Sequence, residues 1–127
     1  MKHLSTLFAM SLLMVSTPAS GQTLPEGIER VRIPVGDMVF DALAAGPEDG
    51  ELVLLLHGFP QSSYSYRRQL PVLAALGFRA VAPDQRGYSP GARPLEVSDY
   101  GMGSLVGDVL GIASALGSER FHLVGHD

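Results

Sequence analysis

The 127-residue chain contains no cysteine. That removes disulfides, thiolate metal sites, a cysteine nucleophile and lipid modification of an N-terminal cysteine. It leaves the compartment open, since many exported proteins do without the residue. Runs of Lys or Arg are missing too, and 9 basic against 13 acidic residues give a formal net charge of −4. A chain with that balance is a poor partner for nucleic acid or for an anionic membrane surface. Charged residues make up only 17% and apolar residues 46%, which suits a packed core rather than a disordered tract. No internal repeat is visible. No apolar run approaches the ~20 residues that a bilayer-spanning helix needs, so no stable membrane anchor is expected. The length is that of one domain.

What is present begins with a leader-like segment. Lys2 and His3 precede a mostly apolar stretch over residues 4–15, and Ser16-Thr17-Pro18-Ala19-Ser20-Gly21-Gln22 follows it. A short basic start, an apolar stretch of about 12 residues and small residues beyond it describe a secretory signal peptide. Residues 1–21 are therefore read as a cleaved signal peptide, with the cut after Ala19 or after Gly21. Residues 22–127 are read as the mature chain, exported to the periplasm or secreted.

The remainder alternates between strand-like and helix-like segments. Residues 29–35 and 38–45 are two strand-like runs around Gly36-Asp37, a hairpin turn. A polar loop over residues 46–50 leads to Leu52-Val53-Leu54-Leu55-Leu56. Five apolar residues without alternation predict a parallel strand covered on both faces. Ser62 and Ser63 offer caps for a helix over residues 64–76, stopped by Gly77 and broken or kinked at Pro71. Residues 78–82 form the next strand. Ser98 or Asp99 caps a second helix reaching Leu116 and Gly117, and residues 121–124 form the last strand. Gly103, Gly107 and Gly111 recur every fourth residue on one face of that helix, which predicts close packing against the sheet; each costs about 1 kcal/mol of helix propensity relative to alanine. The pattern is an α/β fold: an antiparallel first hairpin, then parallel β-α-β-α-β. In such sheets function gathers at the C-terminal ends of the strands.

Three motifs fall there: His57-Gly58-Phe59-Pro60, then Pro83-Asp84-Gln85-Arg86-Gly87-Tyr88-Ser89, then Val124-Gly125-His126-Asp127. Together they resemble the N-terminal part of the α/β-hydrolase fold, ending at its nucleophile elbow. The branch they resemble contains epoxide hydrolases and haloalkane or fluoroacetate dehalogenases, which use an aspartate nucleophile. The resemblance covers residues 28–127. It implies Asp127 as nucleophile, the backbone N–H of Phe59 as one oxyanion donor, and Phe59 and Pro60 as substrate-facing residues. It gives His57, Gly58, Asp84, Arg86, Gly87, Gly125 and His126 as the structural frame. A second oxyanion donor, a histidine base with its orienting acid, and a cap carrying the epoxide-opening tyrosines are expected after residue 127. No metal or organic cofactor is implied, and oligomeric state is left open.

The chemistry fits the residue type. In a serine hydrolase the elbow is Gly-x-Ser-x-Gly and the hydroxyl needs a base. A carboxylate, with a reference pKa of about 3.9, is ionised at neutral pH and attacks without prior deprotonation. It suits displacement at saturated carbon bearing an epoxide oxygen or a halide, and it leaves a covalent alkyl ester for water to hydrolyse. The expected substrate is therefore a small epoxide or halogenated organic molecule. Phenylalanine at position 59 has no side-chain donor for a halide, which favours the epoxide. His57 is read as a loop brace and His126 as facing away from the chemistry. Asp84 and Arg86 are expected to form a loop-fixing ion pair with each other, or to meet a substrate carboxylate. Two other readings compete. One is a non-catalytic truncated remnant whose last strand keeps an unpaired edge. The other is a serine-type esterase using Ser62, Ser63 or Ser104, none of which falls at a strand-to-helix elbow.

N-terminal sequencing of the exported protein should return a chain starting at Ser20 or Gln22; a mature chain retaining Met1 would contradict the signal-peptide reading.

Overall fold

The hairpin turn at Gly36-Asp37 sets the first pairing. Gly36 adopts φ +57°, a left-handed conformation that glycine reaches at little cost. Strands β1 (Glu29–Val35) and β2 (Met38–Ala45) run antiparallel from it, with Val35 opposite Met38 and Glu29 opposite Ala44. The computed structural model describes residues 22–127; the signal-peptide reading falls on residues 1–21 and lies outside the described residues. Three further strands follow, β3 (Leu52–Leu56), β4 (Arg79–Pro83) and β5 (His122–Gly125), and complete a five-stranded sheet of order β1-β2-β4-β3-β5. β2 pairs antiparallel with β4, while β3 lies parallel to both β4 and β5.

The unalternated apolar run of β3 is explained by two cores. Leu52 and Leu54 point to one face, where Ile33, Phe40, Ala42, Ala44 and Val81 meet Ile112 and Ala113 of helix α2 (Met102–Ala115). Val53 and Leu55 point to the other face, packing with Leu43, Ala45, Ala80 and Ala82 against Tyr66 and Leu70. Successive residues of a strand face opposite sides, so a strand covered on both has no polar position to spare. β5 is different. It sits at the sheet edge, and all four of its residues are exposed.

The first helical segment is shorter than the sequence suggests. Ser63–Tyr66 forms a 3₁₀ turn, and α1 covers only Gln69–Ala75. Pro71 explains the break: lacking an N–H, it is accommodated in a first turn, where that donor has no partner, but not deeper in a helix. Gly77 then ends the segment at φ +91°. The second helix also starts late. Val97–Tyr100 is another 3₁₀ turn, and Gly101, not Ser98 or Asp99, occupies the cap position before Met102.

The glycine stripe is corrected as well. A Cβ on Gly111 would come within 2.5 Å of Val35 Cγ1, so the helix touches β1 there; Cβ atoms on Gly103 and Gly107 would meet nothing within 4 Å. Only the last of the three lets α2 approach the sheet.

Leu54 is fully buried at the centre of the α2-side core. Leu54→Ala is expected to destabilise the protein by about 2–5 kcal/mol, measured by urea denaturation, through lost burial plus the cavity left behind.

Candidate active site

The parallel trio β4-β3-β5 brings three loops out of the same end of the sheet. The register pairs Leu56 of β3 with Gly125 of β5, and the backbone N–H of His126 donates to the Leu56 carbonyl at 3.1 Å. The chains therefore leave the sheet side by side. Gly58 and Asp127 meet as bare backbone: a Cβ on Gly58 would lie 2.5 Å from the carbonyl carbon of Asp127 and 2.9 Å from the His126 carbonyl oxygen. Any larger residue at position 58 would push the Asp127 backbone away from this loop.

The loop itself turns sharply. Gly58 O accepts the Gln61 N–H at 2.8 Å, and the Phe59–Pro60 peptide is cis. Phe59 is 84% exposed, an apolar ring open to solvent. Pro60 is exposed beside it. His57 is buried, with Nδ1 3.1 Å from the Gly58 carbonyl oxygen and Nε2 3.1 Å from the Gln85 nitrogen. Its ring stands edge-on to Tyr88 at 4.5 Å. His126 is exposed.

Asp84 and Arg86 do not pair with each other. Asp84 Oδ1 accepts the backbone N–H of Ser63 at 2.7 Å, tying the loop after β4 to the 3₁₀ turn after β3. Arg86 instead reaches Asp108 on α2, with Nε and Nη2 each 2.7 Å from a carboxylate oxygen, while Nη1 donates to the Asp99 carbonyl at 2.7 Å. The physical reason is geometric. The planar guanidinium matches a carboxylate two-on-two, and α2 presents Asp108 where the loop crosses it. Both side chains are nearly buried, at 11% and 9% exposure. The hydrogen bond to Asp108 holds the Arg86 guanidinium above its ordinary pKa, against the opposing effect of burial. Gly87, at φ +90°, follows in the turn, and its backbone N–H donates to Ala92 O at 2.8 Å.

A model of the α/β hydrolase fold matches residues 51–127. The chain belongs to that family. It is 49% identical over 88 residues to epoxide hydrolase B of Mycobacterium tuberculosis, a match covering 68% of this chain and 25% of that protein. Among solved structures, an epoxide hydrolase from an endophytic Streptomyces superposes with a TM-score of 0.76 at 42% identity, covering 81% of this chain and 30% of that one. An epoxide hydrolase from Vigna radiata gives 0.74 at 40% identity, covering 80% and 32%. The chain thus spans about a quarter to a third of the length of these relatives, and it corresponds to the N-terminal part of the α/β hydrolase fold, the antiparallel first strands followed by parallel ones.

In this α/β hydrolase frame several residues have supporting partners that the sequence does not assign. Asp108 is the one charged residue in the sequence of α2, and its isolation between Leu105, Val109 and Ile112 is the signal that it needs a buried partner. Ser89 is fully buried, accepting the Asp41 N–H at 2.9 Å and donating to the Asp84 carbonyl. Tyr66 donates its hydroxyl to the Leu56 carbonyl at 2.8 Å, and burial raises its pKa. Ser62, Ser63 and Ser104 lie in or beside the 3₁₀ turn after β3 and in the first turn of α2, away from any strand-to-helix elbow.

Asp108→Ala leaves a guanidinium buried without its counter-charge and is expected to cost about 3–5 kcal/mol in urea denaturation. Replacing both partners together, Arg86→Met with Asp108→Leu, should recover most of that loss. A single-variant cost below about 1 kcal/mol would place the pair in the class of weak surface bridges instead.

Proposed function

We propose that Asp127 is the nucleophile of an epoxide-opening hydrolase and that the backbone N–H of Phe59 is one of its oxyanion donors. The observation that carries this is the seating of the Asp127 backbone against Gly58, directly before the Phe59 amide. The names of the relatives, epoxide hydrolases in each case described above, support the same reading.

In the first half-reaction a carboxylate oxygen of Asp127 bonds to a ring carbon. The ring C–O bond breaks, its electron pair goes to the ring oxygen, and that oxygen takes a proton from a general acid. In the second half water attacks Cγ of the resulting ester, giving one proton to a base. The bond between Cγ and the alkyl oxygen breaks, the departing alkoxide takes the proton back from the base, and the remaining water proton leaves Asp127 as a carboxylate and restores the acid. The tetrahedral intermediate carries negative charge on the former carbonyl oxygen, and each backbone donor aimed there is worth about 3–4 kcal/mol. The exposed ring of Phe59 offers apolar surface and no N–H for a departing halide, which favours an epoxide over a halogenated substrate. Export directed by residues 1–21 belongs to the same proposal.

Single turnover of the full-length gene product in ¹⁸O-labelled water should place label in the Asp127 carboxylate, read by mass spectrometry of the peptide. Asp127→Ala should lower kcat by about 10⁴-fold or more. Turnover without label at Asp127 would remove the covalent route.

A further inference from the structure

We propose that His57 is a positioning residue: the backbone N–H of Gln85 holds it as the Nδ1–H tautomer, and in that form it pins the Gly58 carbonyl and sets the direction of the Phe59 N–H. The inference rests on the reading of Phe59 as an oxyanion donor.

The tautomer follows from which partner has a choice. A backbone N–H can only donate, so the Gln85 nitrogen, 3.1 Å from Nε2, requires a lone pair on that ring nitrogen. The neutral imidazole then carries its proton on Nδ1, which lies 3.1 Å from the carbonyl oxygen of Gly58. The same oxygen accepts the Gln61 N–H at 2.8 Å. Two donors thus occupy both lone pairs of one carbonyl. The Gly58 C=O and the Phe59 N–H belong to a single planar trans peptide unit and point in opposite directions. Holding one end of that plane holds the other, and the free end is the proposed oxyanion donor.

The brace is itself braced. His57 is 5% exposed, and its ring makes a T-shaped contact with Tyr88, centroids 4.5 Å apart and planes at 78°. The side-chain amide of Gln85 donates to the His57 carbonyl, so the two residues are tied at both backbone and side chain. Gln85 is flanked by Asp84, bonded to Ser63, and by Arg86, bonded to Asp108. The opposite tautomer would set an Nε2–H against the Gln85 N–H and leave Nδ1 without a proton for Gly58. A histidine that merely filled space would not care which nitrogen carried the proton.

The consequence is specific to one half-reaction. A misdirected Phe59 N–H weakens the tetrahedral intermediate of ester hydrolysis, whereas attack on the epoxide by an ionised carboxylate does not form that intermediate. The ring ¹⁵N shifts of His57 in the full-length gene product at neutral pH should show a protonated Nδ1 and an unprotonated Nε2. The reverse tautomer, or a doubly protonated ring, overturns the proposal. Rapid-mixing single turnover gives the second arm. In His57→Gln the amide reaches the Nε2 position and leaves the Gly58 carbonyl with the Gln61 N–H as its one donor. Hydrolysis of the Asp127 ester should slow about tenfold to a hundredfold while alkylation stays within about threefold, so that ester accumulates. His57→Asn puts an amide N–H near the Nδ1 position and should restore hydrolysis to within about threefold of the parent. Equal losses in both steps, or no advantage of Asn over Gln, would reduce His57 to packing. Failure of the parent to form any ester at Asp127 would count against the proposed function instead, and the ring shifts would still decide the tautomer. They decide alone if His57→Gln does not fold.

Discussion

The arrangement depends on one contact between backbones, Gly58 against His126 and Asp127. It exists because β3 lies between two parallel neighbours, and because its pairing with β5 sets Leu56 level with Gly125. A slip of one residue in β5 would move its end by about 3.3 Å along the strand and exchange the faces of every side chain. The loop after β3 would then meet a different atom, and a glycine at 58 would have no purpose. Sheet register, a property of the whole domain, is thereby converted into the placement of one carboxylate-bearing residue.

Around that contact the described residues keep other charges occupied. Arg86 is committed to Asp108 and to the Asp99 carbonyl. Asp84 is held by the Ser63 amide. His57, facing a backbone donor with one nitrogen and a carbonyl with the other, has both of its ring polar atoms engaged. On the proposed reading of Asp127 as nucleophile, a cation seated directly on its carboxylate would stabilise the ground state and slow attack. Sending Arg86 to a partner on α2 gives the loop its rigidity without that penalty. The same pair couples the loop after β4 to α2, so the second crossover helix and the strand-exit end of the sheet are parts of one polar framework rather than separate layers.

The sheet was legible because its signals are local. The Gly36-Asp37 turn, the unbroken apolar run of β3 and the strand exits at His57, Asp84 and Gly125 each depend on a few consecutive residues, and the strands fall within one or two residues of the sequence reading. The exposed edge at β5 was likewise readable, since strand order follows from family resemblance. What failed needed long-range contacts. Helix starts shifted because Pro71 and Gly101 competed with nearby serines that looked like better caps. The glycine stripe on α2 has the right period, but only Gly111 faces β1, and period alone cannot say which turn touches a neighbour. Arg86 and Asp108 are 22 residues apart, and no local pattern distinguishes that partner from Asp84, two positions away. A nearby opposite charge is the obvious guess from sequence; in the fold Asp84 accepts the Ser63 amide while Arg86 reaches across to the helix.

On the proposed chemistry, the distribution of hydrogen bonds has a rationale. A serine nucleophile must be activated before anything happens, so a serine hydrolase concentrates its machinery on the attacking atom. An aspartate arrives ionised, and the demand moves to the second half, where a stable ester must be opened through a charged tetrahedral intermediate. The residues that answer to that demand are those that orient peptide planes: Gln61 and His57 on the Gly58 carbonyl, and Gln85 on His57. Tyr66 on the Leu56 carbonyl extends the same logic one residue back, because Leu56 O also receives the His126 N–H. Two donors on that oxygen join the start of the oxyanion loop to the residue preceding the nucleophile, so a displacement of either strand end is felt by both.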